Sequence, residues 1–67
     1  MITLTKLNGT QFVLNSDLIE AIQENPDTTI RLTNGITYIV EESMQDVVKM
    51  TLQFRRKVFK DIIDSVK

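Results

Sequence analysis

Residues 1–42 alternate between apolar or β-branched positions and polar positions, and short turn signals interrupt the alternation. Such a period of two residues is typical of β-strands with one face buried. It is clearest in residues 2–7, 11–14, 29–33 and 36–40. The pattern therefore predicts a small antiparallel β-sheet of about four or five strands.

Two Asn-Gly dipeptides, Asn8-Gly9 and Asn34-Gly35, each lie between apolar-rich stretches. Asn-Gly favours a two-residue hairpin turn of type I′, because both central residues of that turn need a positive φ. Asparagine tolerates this conformation and glycine adopts it at no steric cost. We therefore expect a β-hairpin at each dipeptide.

Residues 17–24 fit two interpretations. Leu18, Ile19 and Ile22 fall on one face of a helix, which favours a short helix. That helix would have only about two turns, and the turn sequence Asn25-Pro26-Asp27 follows at once. We favour a strand here, leading through the turn into the next strand, and keep the short helix as the alternative.

Residues 43–66 follow a helical period instead and contain no Gly or Pro. Ser43 is well suited to cap the helix N-terminus. Arg55 stands at one position of a heptad-like apolar stripe whose other members are Val48, Leu52, Phe59, Ile62 and Val66. Four further residues widen this stripe: Val47, Thr51, Val58 and Ile63. The sequence predicts an α+β domain in which one long amphipathic C-terminal helix, about 36 Å in length, follows the sheet.

The predicted helix is longer than the predicted sheet. Strands of five or six residues span roughly 17–20 Å, so the helix should extend past them by several turns. We expect its first half to pack on the sheet of its own chain and its second half to pack on a second copy or another partner. The alternative is a distal segment that bends back onto its own domain.

Length and composition support a single domain over residues 1–67, with a sheet part in 1–42 and a helix part in 43–66. A core of this size contributes only a few kcal/mol of net stability, roughly 3–5. The chain has no Cys and no His, so disulfides are excluded and a zinc or transition-metal site is disfavoured. Self-association, or docking to a partner, is the remaining common way to add stability.

The same composition disfavours catalysis. The usual general base and thiol nucleophile are missing, and both glycines fall in the predicted turns, so no phosphate-binding loop is recognisable. We interpret the carboxylates of Asp17, Glu20, Glu24 and Asp27 as a solvated acidic edge. The sequence predicts a protein that is not an enzyme and carries no cofactor.

The net charge of −1 is unevenly distributed. Residues 1–42 contain two basic and six acidic residues, net −4, whereas residues 43–67 contain six basic and three acidic residues, net +3. The asymmetry fits a partner of defined charge. It also fits the simpler fact that Lys and Arg favour helices and complement a helix C-terminus.

Four basic residues of the helix form a cluster, Arg55, Arg56, Lys57 and Lys60. Such a cluster can contact nucleic-acid phosphates, which gives a small nucleic-acid-binding regulator as the alternative function. The acidic pI of about 5.2 argues against nucleic acid as a partner. Anionic lipid headgroups, in a peripheral membrane contact, are a third possibility.

The candidate interaction surface combines this basic cluster with the distal apolar residues of the helix. Its members are Leu52, Arg55, Arg56, Lys57, Val58, Phe59, Lys60, Ile62, Ile63 and Val66. We expect them to support a homo-oligomer and contacts with other proteins. The N-terminal segment lacks the pattern of a secretory signal, and no stretch approaches the ~20 apolar residues of a membrane span. The expected location is cytoplasmic.

Several short motifs, in this order and spacing, resemble a known family. They are Met1-Ile2-Thr3-Leu4-Thr5-Lys6-Leu7-Asn8-Gly9, Phe12-Val13-Leu14-Asn15, Asp17-Leu18-Ile19-Glu20, Pro26-Asp27-Thr28-Thr29-Ile30, Leu32-Thr33-Asn34-Gly35, Tyr38-Ile39-Val40 and Glu42-Ser43. Together the chain resembles the FlbD-type swarming motility proteins of Gram-positive bacteria, up to about residue 50.

The resemblance implies a small cytoplasmic protein associated with flagellar gene clusters. The inner face of the membrane near the flagellar motor is one location that we consider for it. Such proteins support flagellar power and swarming, through the motor and its stators. No catalytic residues are associated with the family, so none carry over. The resemblance does not identify a binding surface.

Overall fold

A computed structural model describes residues 1–66, with side chains through Asp64, as five β-strands followed by one α-helix. The strands are β1 (Ile2–Thr5), β2 (Gln11–Leu14), β3 (Ile19–Glu24), β4 (Thr28–Leu32) and β5 (Thr37–Val40), and the helix is α1 (Met44–Val66). The predicted α+β class and the order of its parts are confirmed.

The strands form two antiparallel sheets, so the prediction of one sheet is wrong. One sheet contains β1 and β2, and the other has the order β3-β4-β5. The two sheets meet at a single antiparallel bridge between Lys6 and Val40. Next to it, the Glu41 amide donates a hydrogen bond of 2.8 Å to the Thr5 carbonyl oxygen. Pairing stops there because the chain leaves β5 for the helix.

The Asn-Gly sequences lie in the β1–β2 and β4–β5 connections, but these are not type I′ turns. Gly9 and Gly35 each have a φ of 87°, whereas no other described residue has a positive φ. The Lys6 amide donates a hydrogen bond to the Thr10 carbonyl oxygen, and this bond closes a three-residue loop. The Leu32 amide closes a loop of the same length by donating to the Ile36 carbonyl oxygen. Only the last residue of such a loop needs the left-handed conformation.

The segment 17–24 is a strand for most of its length, as favoured. A short 3₁₀ turn, Ser16–Leu18, precedes β3, and the Asn15 side chain accepts a hydrogen bond from the Asp17 amide. The β3–β4 pairing shifts between Ile19 and Ala21, which marks a bulge. The Asn25-Pro26 peptide bond, in the following connection, is cis.

The core lies between the inner faces of the two sheets and one stripe of α1. Its buried apolar members are Ile2, Leu4, Leu14, Ile30, Leu32, Val40 and Val47. Phe12 and Tyr38 close one end of this core, with ring centroids 4.9 Å apart. The Lys6 ammonium lies 5.6 Å and 5.8 Å from these two rings and covers them. Among the side chains of α1 that the structure describes, only Val47 is fully buried, so most of the described helix surface is left outside.

Candidate protein-interaction surface

Two side chains fix the start of α1. The Ser43 hydroxyl oxygen accepts a hydrogen bond of 3.1 Å from the Asp46 amide, which is the N-cap interaction expected from the sequence. The Glu24 carboxylate accepts a second bond of 2.7 Å from the Met44 amide. A negative charge at this helix end also interacts favourably with the helix dipole. Glu24 therefore ties the end of β3 to the first turn of α1.

Glu42 joins β1 to the segment that leads into α1. Its carboxylate accepts hydrogen bonds from the Thr5 amide at 2.9 Å and the Thr5 hydroxyl at 2.8 Å. Partial burial alone would raise the pKa of Glu42. The bonds from Thr5, together with one from the Glu42 amide, outweigh this effect, so the net pKa lies below its usual value.

Beyond these contacts, α1 packs mainly against β1 and β3, and its least exposed described residues form one stripe. This inner stripe contains Val47, which is buried, and Thr51 and Phe54, which are half-buried. Every described side chain from Arg55 to Asp64 is exposed. The molecule is accordingly 46 Å long but only 23 Å and 18 Å across, because the distal half of α1 extends past the sheets.

A second stripe of α1 runs beside the inner stripe and faces solvent. We call it the outer seam; its members are Val48, Leu52, Arg55, Phe59 and Ile62. The apolar members are 42%, 49%, 65% and 56% exposed, in chain order. An exposed apolar strip of this length is characteristic of an interaction site. Met44 and Ile63, 37% and 44% exposed, extend the apolar surface on its two sides.

The structure places the predicted site residues on the exposed part of α1. Described and exposed are Leu52, Arg55, Arg56, Lys57, Val58, Phe59, Lys60, Ile62 and Ile63. Val66 is the remaining predicted site residue, and it lies outside the residues whose side chains the structure describes. Sequence reasoning missed that the exposed surface begins near Met44 and Val48, in the first half of the helix. The signal was available, because Val47 and Val48 belong to neighbouring heptad stripes and only one stripe can face the sheet.

A shallow cleft separates the outer seam from β3. Ile19 and Ile22 line its strand side, and Val48 and Leu52 line its helix side. At its edge, the Ser16 hydroxyl is buried and has no hydrogen-bond partner among the described residues. A second depression continues distally beside Phe59. The apolar surface is therefore concave at these two places, and side chains of a partner can pack there.

The acidic residues expected to form a solvated edge mostly have specific partners. Asp17 lies 3.7 Å from the Arg55 guanidinium, and Glu20 lies 3.3 Å from that of Arg31. All four side chains are more than half exposed, so each pair contributes little stability, on the order of 0–1 kcal/mol. The Asp17–Arg55 pair does hold the basic member of the outer seam next to the 3₁₀ turn.

The described residues contain no group of three or more acidic, His or Cys side chains that could hold a metal ion. Within residues 1–66, α1 is too polar to cross a membrane. What this part of the chain does offer is a long, partly apolar and partly basic helix surface.

The chain matches the family FlbD, flagellar and swarming motility proteins, over residues 1–59. It belongs to this family. The FlbD match extends through β5 and into α1 as far as Phe59, beyond the point near residue 50 where the resemblance was expected to end. It includes Val48, Leu52 and Arg55 of the outer seam. Comparisons with curated proteins and with solved structures give no match.

Proposed function

We propose that this FlbD-family protein is a non-enzymatic accessory protein of the flagellar motor, which supports swarming and motor power through protein–protein contacts. The observation that carries the proposal is the exposed outer seam of α1. A small domain that leaves an apolar strip in water along most of the one α-helix in its described residues is suited to binding another protein.

The surface has an apolar part and a basic part, and we expect each part to make its own kind of contact. The apolar outer seam would pack against a second copy of the chain, which supplements a small core. The basic cluster of Arg55, Arg56, Lys57 and Lys60, whose members are all exposed, would bind an acidic surface of a motor or stator component. The protein would act in the cytoplasm at the inner face of the membrane.

Swarming of a strain that lacks the gene, complemented with variants, tests this proposal. Phe59→Asp places a charge on the apolar surface at a side chain that is 65% exposed, so the fold should persist. Complementation should fail with this variant and succeed with Leu7→Asp, a matched control at an apolar side chain 52% exposed in the β1–β2 connection. Full swarming with Phe59→Asp, at normal protein levels, would remove the outer seam from the function.

Nucleic-acid binding remains the alternative, because Arg55, Arg56, Lys57 and Lys60 are all exposed on one helix. Binding through phosphates would give salt-dependent retention on DNA or RNA, lost when the four residues become Gln. Flotation with anionic vesicles distinguishes a lipid contact through the same residues. If the wild-type chain binds neither nucleic acid nor vesicles, and the quadruple variant nevertheless fails to support swarming, the result would favour the motor component.

A further inference from the structure

The two strand connections that contain Asn-Gly carry a dipeptide that can react without an enzyme, because asparagine is a thermolabile residue and glycine has no side chain to hinder attack. The glycine backbone nitrogen forms a bond to Cγ of the preceding asparagine. The side-chain nitrogen leaves as ammonia and takes the proton of the glycine amide. Water then opens the resulting succinimide at either carbonyl group and gives aspartate or isoaspartate.

The β1–β2 connection holds both reacting groups in hydrogen bonds. The Gly9 amide donates a bond of 2.9 Å to the Lys6 carbonyl oxygen. The Asn8 side-chain oxygen accepts a bond of 3.0 Å from the Thr10 amide. The first bond fixes the plane of the Asn8–Gly9 peptide, and the second fixes the carboxamide. Attack of the glycine nitrogen on Cγ therefore requires this loop to open locally.

The β4–β5 connection repeats this arrangement. The Gly35 amide donates a bond of 3.0 Å to the Leu32 carbonyl oxygen, and the Asn34 side-chain oxygen accepts a bond of 3.0 Å from the Ile36 amide. Gly9 and Gly35 also share a φ of 87°. The asparagine of each loop is exposed, so water reaches both sites. The hydrogen bonds of the loops, and not burial, restrain the reaction.

We propose that Asn8 and Asn34 are paired sites of spontaneous deamidation that react slowly in the folded chain and rapidly after unfolding, and whose conversion to isoaspartate blocks refolding. In the unfolded chain neither amide is fixed, so the glycine nitrogen can approach Cγ. In the folded chain the reaction rate follows the fraction of molecules in which each loop is open.

The two products differ in how they fit the loops. Aspartate keeps a side-chain oxygen as the acceptor for the Thr10 or Ile36 amide. Isoaspartate instead carries the chain through the side-chain carbons, which lengthens the backbone of a three-residue loop. Because loop length fixes the register of a hairpin, the pairing of β1 with β2, or of β4 with β5, is then disturbed. A chain that stays unfolded therefore loses its ability to refold as isoaspartate accumulates.

Peptide mass spectrometry tests the difference in rate. The whole chain is incubated in warm, mildly alkaline buffer, folded in one sample and unfolded by guanidinium chloride in another. Loss of the amide at Asn8 and Asn34 should be slower in the folded sample by about tenfold or more. Asn25 is an internal control and should keep its amide in both samples, because the following residue, Pro26, has no N–H.

A double variant, Asn8→Gln with Asn34→Gln, tests the effect on refolding. Glutamine would have to close a larger ring, so its amide should persist in denaturant. After long incubation and dilution, the wild type should recover less circular dichroism signal in proportion to its isoaspartate content, whereas the double variant should recover fully. Each chain is compared with its own fresh sample, so an effect of the substitutions on folding itself cancels.

Two results would overturn the proposal. Amide loss that is as fast in the folded chain as in the unfolded chain would show that the Thr10 and Ile36 amides polarise the carboxamides for attack and do not restrain them. Wild-type refolding that is unaffected by isoaspartate at these sites would show that the loops tolerate the longer backbone.

Discussion

At the scale of single residues, the two glycines in the strand connections are required by backbone geometry and not by packing. Gly35 has a φ of 87°, and a Cβ built on it would meet nothing within 4 Å. Gly35→Ala should therefore cost about 1–2 kcal/mol of stability, which is the left-handed penalty for an L-residue. Urea unfolding measures it, with Gly35→Asn as a control expected to lose less. Equal stability of the alanine variant and the wild type would refute this account.

Glu42 is the residue whose pKa ties stability to pH. Its pKa is lowered in the folded state from a reference of 4.5, so the unfolded chain binds more protons around that pH. The stabilising contribution is present above pH 4.5 and is lost as pH falls through the lowered folded-state pKa. Glu42→Gln should reduce stability at neutral pH and flatten the loss between neutral and acid pH.

Denaturant titrations at several pH values measure this effect. Glu41→Gln is the matched control, because Glu41 is an exposed neighbour in the same segment, and it should leave the profile close to that of the wild type. An acid profile that is unchanged in Glu42→Gln would show that the Thr5–Glu42 hydrogen bonds do not contribute.

At the scale of the elements, two adjacent valines of α1 belong to different stripes of the helix, Val47 to the inner stripe and Val48 to the outer seam. Val47 is 0% exposed and Val48 is 42% exposed. Val47→Ala should cost about 2 kcal/mol of unfolding free energy, because it opens a cavity against the sheets. Val48→Ala should change it by less than about 0.5 kcal/mol. Unfolding is measured at low protein concentration, where association does not contribute, and similar costs would contradict the assignment of the stripes.

The elements also show what sequence patterns can and cannot predict. Local signals were sufficient for the strands, for the strand over residues 19–24 and for the cap at Ser43, because turns and caps depend on neighbouring residues. The division into two sheets depends on where Lys6 and Val40 meet, a contact between distant residues. The alternation of apolar and polar residues along the chain therefore does not reveal this division.

For the candidate site, local spacing leaves a choice open. Heptad spacing indicates an apolar stripe, but the stripe through Val48 and Leu52 and the stripe through Val47 and Thr51 both satisfy it. Tertiary packing decides that the second faces the sheet. Glu24 is a comparable case, since its role at the start of α1 needs β3 and the helix to meet.

At the scale of the whole molecule, the small core and the long exposed helix lead us to expect that stability depends on association. Only the folded chain presents the outer seam, so a dimer would stabilise the folded state by mass action. We expect the wild-type Tm to rise by several degrees when protein concentration is raised about a hundredfold, since 1 kcal/mol shifts the Tm of such a domain by roughly 4–8 °C.

The same experiment on a seam variant isolates the cause. Phe59→Asp should have a Tm close to that of the dilute wild type, and this Tm should not change with concentration, because the charge prevents burial of the seam. Leu7→Asp should keep the wild-type dependence, since Leu7 lies in the β1–β2 connection and not on α1. A concentration-independent Tm in the wild type would mean that the domain is stable without a second copy. The outer seam would then be left for the motor component alone.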